Sequence, residues 1–230
     1  MKTIGMLGGM SWESTLSYYK AINEEVKYQL GGLHSAKIIL YSVNFQEIEI
    51  LQHEGKWQEA GVLLAKASQK VQAGGADCLI ICTNTMHKVA PQIESAISIP
   101  IIHIADATAE QMVKDGIKTV GLLGTAFTME EDFYKKRIED KYKIDVLVPN
   151  HSDRELVHDV IFKELCLGKI KNASRKEYLR IIKDLSQSGA EAVILGCTEI
   201  ALLVNSEATS IPLYDTTQIH ALKAVEWALP

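Results

Sequence analysis

The stretch GAEAVILGCTEI, Gly189 to Ile200, runs through the apolar residues 192–195, reaches Gly196-Cys197 and turns polar at once. A short apolar run that ends in a small residue and opens into a polar, helix-prone segment is the pattern of a buried strand in a parallel sheet. A second stretch, GADCLIICTNTM from Gly75 to Met86, has the same form. Laid on the first without gaps, Gly75 matches Gly189, Asp77 matches Glu191, and the apolar runs coincide. In that register Cys82 falls on Gly196 and Thr83 falls on Cys197.

The repetition extends further. KTIGMLGGM from Lys2 resembles KTVGLLGTA from Lys118, 116 residues on; the Gly-Ala-acid stretches are 114 apart, and SIPII from Ser98 and SIPLY from Ser210 are 112 apart. Three matches in one order at nearly one offset make the 230-residue chain two copies of an α/β unit of about 110 residues, a common size for a small domain. The expected fold is therefore two pseudo-symmetric Rossmann-like α/β domains with mainly parallel sheets. The first covers 1–104 and regains a C-terminal helix, 214–230; the second covers 105–213. Such sheets bind ligands beyond the carboxyl ends of their strands, which predicts a site in the cleft between the two domains.

Strands are expected at Thr3–Leu7, Lys37–Tyr41, Cys78–Cys82, Pro100–Ile104, Thr119–Leu123, Asp145–Val148, Ala192–Leu195 and Ile211–Tyr214. Cap-x-x-Glu/Gln spacing predicts helix starts at Thr128 with Glu131, Ser152 with Glu155, Ser174 with Glu177 and Asp215 with Gln218. The helix after Ser11 places Leu16, Tyr19, Val26 and Leu30 on a recurring face and stops at Gly31-Gly32.

Composition narrows the function. Hydrophobic residues make up 47% of the chain, enough for a substantial core, and the net charge of −5 is dispersed without a basic stripe, which argues against nucleic acid. No apolar run approaches a membrane span, and the N-terminus turns polar too early for a signal peptide, so a cytoplasmic protein is expected. Four cysteines (Cys78, Cys82, Cys166 and Cys197) in a chain of this length do not make a disulfide framework, and neither C-x-x-C nor His-x-x-x-His spacing offers metal ligands.

Cys197 is the leading reactive residue. Most free cysteines are small buried hydrophobes, but this one follows a strand beside Gly196 and precedes TEIALL, whose helical onset would direct backbone N–H groups at the thiol and favour the thiolate. Strand alternation puts Cys78 and Cys82 on one face and Thr83 with Leu79 and Ile81 on the other, so Cys82 is expected to pack while Thr83 matches Cys197. Helix capping is the commoner role for such a threonine; the repeat register promotes it. The glycine loops MLGGMS and LLGTAFT let backbone amides approach an anion, and with Thr83-Asn84-Thr85 and Thr198-Glu199 they supply small donors suited to a small carboxylate. His87 fits either a chemical or a structural role.

IGMLGGMSWEST, CTNTMH, LLGTAFTM and ILGCTEI, in that order over essentially the whole chain, resemble the aspartate/glutamate racemase family, most closely its amino-acid racemase branch. The resemblance implies two domains of one fold with the active site between them, no pyridoxal phosphate or other cofactor, no metal, and a possible homodimer acting on a small amino acid. It further implies a cysteine from each half, one removing the Cα proton and the other returning one from the opposite face. Here the family's first Cys-Asn-Thr is Thr83-Asn84-Thr85. The resemblance thus gives Cys197 as base toward the L enantiomer and Thr83 as opposing proton donor, interconverting L- and D-aspartate, glutamate or both. By the same resemblance Met10, Gln52, Thr83, Asn84, Thr85, Thr125, Thr128, Lys163, Thr198 and Glu199 surround the substrate. Gln52 is expected in a loop where relatives carry a basic residue for the distal carboxylate. The alternatives are a one-cysteine enzyme like the arylmalonate decarboxylases or maleate isomerases, and a non-catalytic amino-acid-binding protein.

Overall fold

The computed structural model describes residues 1–229. The chain divides into two compact units, Met1–Ile104 with His220–Pro230 and Ala105–Ile219. The return to the first unit lies at His220, within the last helix, where the sequence placed it at 214.

Unit 1 contains β1 (Ile4–Gly8), α1 (Trp12–Leu30), β2 (Ile38–Ser42), α2 (Phe45–His53), α3 (Trp57–Ala73), β3 (Cys78–Ile81), α4 (Ala90–Glu94) and the first residue of α5 (Ile104–Lys114). Its sheet is parallel in the order β2-β1-β3. Alternation of side chains splits the core. Leu7, Leu79 and Ile81 pack with Ile48, Leu64, Val71 and Met86 on one face. Ile4, Met6, Cys78, Ile80 and Cys82 pack with Tyr18, Ile22, Val26 and Val225 on the other. Cys82 is therefore a core residue. Burial pushes its thiol up, and that of Cys78 up to about 12.

Unit 2 contains β4 (Thr119–Gly124), α6 (Ala126–Glu130), α7 (Asp132–Tyr142), β5 (Asp145–Leu147), α8 (His151–Lys163), α9 (Asn172–Gln187), β6 (Ala192–Gly196), α10 (Ile200–Leu203), β7 (Leu213–Asp215) and the start of α11 (Thr216–Ala228). Its parallel sheet runs β5-β4-β6-β7. The register repeats that of unit 1. Ile4 pairs with Cys78 and Leu7 with Ile81, while Val120 pairs with Ala192 and Leu123 with Leu195. These are the partners that offsets of 116 and 114 relate. The fourth strand shows the same correspondence in reduced form, because Leu79 bridges Ile101 as Val193 pairs with Leu213.

That single bridge is all that forms of the strand expected at Pro100–Ile104. The Leu79 N–H reaches the Pro100 carbonyl and the Ile102 N–H reaches the Leu79 carbonyl, both at 2.9 Å; the backbone then turns into α5 at Ile104. Three predicted helix starts also move. Thr125 caps α6, accepting from the Thr128 N–H, and Asn150 caps α8. Ser174 lies inside α9, its hydroxyl donating to Glu164 Oε2 at 2.6 Å. Asp215 does cap α11, accepting from the N–H groups of Thr217 and Gln218. The spacing rule fails here because Thr125 and Asn150 carry Thr128 and Asp153 rather than Glu or Gln three residues on, while a threonine or serine inside the first turn has the glutamate.

On α1 the buried stripe is Ser14, Thr15, Tyr18, Ala21, Ile22 and Val26. Leu16, Tyr19 and Leu30 are exposed instead. The polar residues of the stripe serve the strand ends: Ser14 Oγ donates to the Cys82 carbonyl at 3.1 Å, and Thr15 Oγ1 accepts the Gly9 N–H at 2.8 Å. Gly9 has φ 90°, and a Cβ there would lie 2.3 Å from the Val43 carbonyl, so only glycine fits this turn.

Candidate active site

In unit 1 the candidate residues gather beyond the carboxyl ends of β1 and β3. The Cys82 N–H continues the ladder to the Leu7 carbonyl at 2.9 Å, and the Thr83 N–H turns back to the Ile81 carbonyl at 2.8 Å. Thr83 is partly exposed, whereas Asn84 and Thr85 are buried at the start of a 3-10 turn, Thr85–Val89. The Thr83 carbonyl is 2.8 Å from His87 Nδ1. Met10 follows the glycine loop and packs in the same apolar cluster as Met86. Gln52 is not in a loop. It is buried on α2 and donates from Nε2 to Met86 Sδ at 2.8 Å, so the unit 1 residues other than the Thr83 turn meet around one methionine.

In unit 2 the corresponding strand ends are β4 and β6. Gly124 and Gly196 face each other closely: a Cβ on Gly124 would sit 2.9 Å from the Gly196 carbonyl, and one on Gly196 2.8 Å from the Leu123 carbonyl. The two glycines bring the residues after them together. Thr125 and Thr128 share a hydroxyl contact of 3.2 Å behind Gly124, and the Cys197 turn follows Gly196. Cys197 Sγ donates to Glu199 Oε2 at 3.0 Å, and Thr198 Oγ1 donates to the same oxygen at 2.6 Å. All three residues are buried.

This geometry corrects the electrostatics expected from the sequence. The Glu199 N–H does favour the thiolate, but burial, the Glu199 charge and the hydrogen bond to that carboxylate outweigh it and push the thiol well above its ordinary range. Cys166, which no sequence motif singled out, adds to the rise through its own charge. Cys197 thus rests as a thiol that donates to the Glu199 side chain.

Lys163 stands at the end of α8 with its ammonium exposed and paired with Asp159 at 2.8 Å. Among the described residues no group of three or more His, Cys, Asp or Glu side chains could hold a metal ion, and no helix is long and apolar enough to cross a membrane.

The family model described as Asp/Glu/Hydantoin racemase matches residues 7–224. A crystal structure of a candidate Asp/Glu racemase from Yersinia pestis is 54% identical, with a TM-score of 0.93 and full coverage of both chains. An aspartate racemase homologue from Pyrococcus horikoshii OT3 is 36% identical, with a TM-score of 0.86 over 99% of each chain. The broad specificity amino-acid racemase RacX of Bacillus subtilis is 22% identical over 96% of each chain.

Proposed function

From the premise that this chain belongs to the Asp/Glu/Hydantoin racemase family and is an isomerase, we propose that it interconverts the enantiomers of aspartate, glutamate or both by moving a proton at Cα between Cys197 and Thr83. The observation that carries this reading is the register. Thr83 and Cys197 follow the two equivalent strands β3 and β6 at corresponding positions, each beyond the carboxyl end of its sheet. On this reading each unit contributes one of the two proton-transfer groups. Both transfers run through side chains, and the reading calls on no cofactor.

The chemistry differs between the faces. For Cys197 to act as base its proton must leave the sulfur, and the acceptor at hand is Glu199 Oε2. The substrate's ammonium brings a positive charge that offsets the second negative charge a thiolate would add to the pair. Thr83 has Thr85 at the position that matches Glu199, so no carboxylate stands two residues on. Its hydroxyl is too weak an acid to rest as an anion, but it donates readily to a carbanion, a strong base. L-to-D conversion is thus the direction the residues favour. Because the two enantiomers are of equal free energy, kcat/KM must be the same for both, and the bias shows only as a lower kcat and a lower KM for the D enantiomer.

Support for a small dicarboxylic substrate comes from the donors of both halves, Asn84, Thr85, Thr125, Thr128 and Thr198, with Gln52 beside Met86. The reading places the protein in the cytoplasm and is compatible with a homodimer.

Incubation with L-aspartate and L-glutamate in heavy water tests the proposal, with the Cα proton followed by NMR and the D product by chiral chromatography. Loss of the Cα proton with formation of D product is the expected result. Carbon dioxide release from a malonate, or binding of an amino acid without exchange, would replace the racemase reading with one of its alternatives.

A further inference from the structure

Beneath the Thr83 turn lie three buried histidines, His87, His103 and His220, all within unit 1. The His87 and His103 rings are 4.4 Å apart between centroids, and those of His87 and His220 5.8 Å. Both ring nitrogens of His87 are engaged. Nδ1 is 2.8 Å from the Thr83 carbonyl, which can only accept, and Nε2 is 3.3 Å from the Ile104 N–H, which can only donate. Only one state satisfies both bonds, a neutral imidazole with its hydrogen on Nδ1. His220 is fixed in the opposite tautomer: Nε2 donates to the Ile102 carbonyl at 2.7 Å, and Nδ1 accepts from Tyr18 OH at 2.8 Å.

The imidazole of His87 is therefore a crossbar. It joins the Thr83 carbonyl to the backbone at the start of α5, while the Thr83 N–H is held by Ile81 and the preceding carbonyl, that of Cys82, by Ser14. The peptide groups on both sides of Thr83 are thus anchored. Unit 2 solves the same problem without a side chain, since the Cys197 carbonyl takes the Ile200 N–H at 3.1 Å and the residue matching His87 at the offset of 114 is Ala201. An imidazole at this place in one copy of a repeat, where the other copy closes with backbone alone, has a task specific to the Thr83 half.

We propose that His87 is a positioning residue for the proton transfer on the Thr83 face: it fixes the turn that carries the Thr83 hydroxyl and so governs inversion without governing proton removal at Cys197. This rests on the reading of Thr83 and Cys197 as the two proton-transfer groups. A donor held by a turn that shifts by an ångström loses much of its rate, whereas the base, built on the other unit, keeps its own.

The test uses His87→Phe, which keeps a ring and loses both bonds, and His87→Asn, which keeps a donor near Nδ1. With L-aspartate in heavy water, deuterium entering recovered L-aspartate reports return from the Cys197 face, and D-aspartate reports delivery from Thr83. The expected result is a ratio of exchange to inversion raised about tenfold or more in His87→Phe, less in His87→Asn, with Cα exchange itself within a few-fold of wild type. Equal losses of exchange and inversion in the folded variants would reduce His87 to packing and overturn the proposal. Imidazole nitrogen NMR of the wild type at neutral pH decides independently of whether His87→Phe folds. The neutral Nδ1–H form supports the crossbar, and an Nε2–H or doubly protonated ring overturns it. Absence of any exchange in the wild type would overturn the racemase reading and the role of His87 with it, and is told apart from failure of the crossbar alone by the tautomer measurement.

Discussion

The Thr83 turn and the Cys197 turn occupy the same place in two copies of one scaffold, yet they are held and charged differently. Around Cys197 there is a carboxylate two residues on, and the turn closes through its own backbone. Around Thr83 the matching positions are neutral: Thr85 stands where Glu199 would be, and a histidine side chain closes the turn. On the proposed reading, duplication of the strand ends fixes where a reactive group sits, and the residues two and four positions further along decide which group loses a proton and which only gives one.

The sharpest way to break this comparison is to remove each group in turn. Cys197→Ser is expected to lower Cα exchange from L-aspartate by about 10³-fold, within the usual range for a positioned acid or base. Thr83→Ala is expected to lower D-aspartate formation by a similar factor while deuterium still enters the L enantiomer. Isotope-resolved NMR checks both. If Thr83→Ala lost exchange and inversion together, the division of labour between the two turns would be wrong.

Acid separates the units themselves. Burial holds His220 down at about 4, below its ordinary 6.5. The unfolded chain therefore binds the proton first, and stability falls as pH drops from about 6.5 through 4. The limiting loss is about 3 kcal/mol. The shifted carboxylates of unit 2 respond in a lower window. Against the burial of its carboxylate, Arg137 and Lys141 hold Asp106 below the usual range, and Arg180 does the same for Asp153, so those pairs give way only as pH falls through and below about 4. Asp215 acts in the opposite sense: burial raises it, and protonation on acidification favours the folded form. Hydrogen exchange at pH 5 should show protection failing in unit 1 before unit 2, and His220→Gln should flatten the pH dependence of urea unfolding between 7 and 4.5. Earlier opening of unit 2 would contradict the assignment.

How far the sequence was legible follows the same line between scaffold and tuning. The strand register was readable because parallel strands buried on both faces leave continuous apolar runs, and their offsets of 116, 114 and 112 survive into the pairing Ile4–Cys78 and Val120–Ala192. Burial of Cys82 was readable from strand alternation. The face of α1 was not, since Ser14 and Thr15 are buried to satisfy strand-end backbone rather than to fill a core. The crossbar at His87 was also hidden, because its partner at Ile104 is 17 residues away and no periodicity links them. The rise of the Cys197 thiol was hidden for a related reason: a sequence shows that Glu199 is close in the chain, not that its carboxylate turns back onto the sulfur.

Glu199→Gln sharpens the comparison from the Cys197 side. Removing the carboxylate removes one cause of the raised thiol, so the Cys197 pKa should fall and the thiolate fraction near neutral pH should grow in proportion. Alkylation by iodoacetamide, which consumes the thiolate, should quicken several-fold or more. Cα exchange should nevertheless slow, because the thiol has lost the group that takes its proton. A thiol profile that does not move, or moves upward, would show that Glu199 does not govern Cys197.

Thr83→Cys tests the same idea from the other side, and its effect should be the smallest. If the identity of the reactive atom were all that distinguished the turns, a thiol at position 83 would make the two faces equivalent and bring kcat for the two enantiomers together. The surroundings argue otherwise. A thiol at 83 would have Thr85 rather than a carboxylate at the matching position, with the buried thiols of Cys78 and Cys82 just before it in the chain. It would remain protonated, a better acid than threonine but not yet a base. The kcat from D-aspartate should therefore rise only several-fold, with kcat/KM still equal for the two enantiomers. Adding Thr85→Glu to that variant should raise the D-to-L rate further if the carboxylate is what makes a thiol a base on this scaffold. If Thr83→Cys alone equalised the two directions, the residue two positions on would have no part in the asymmetry.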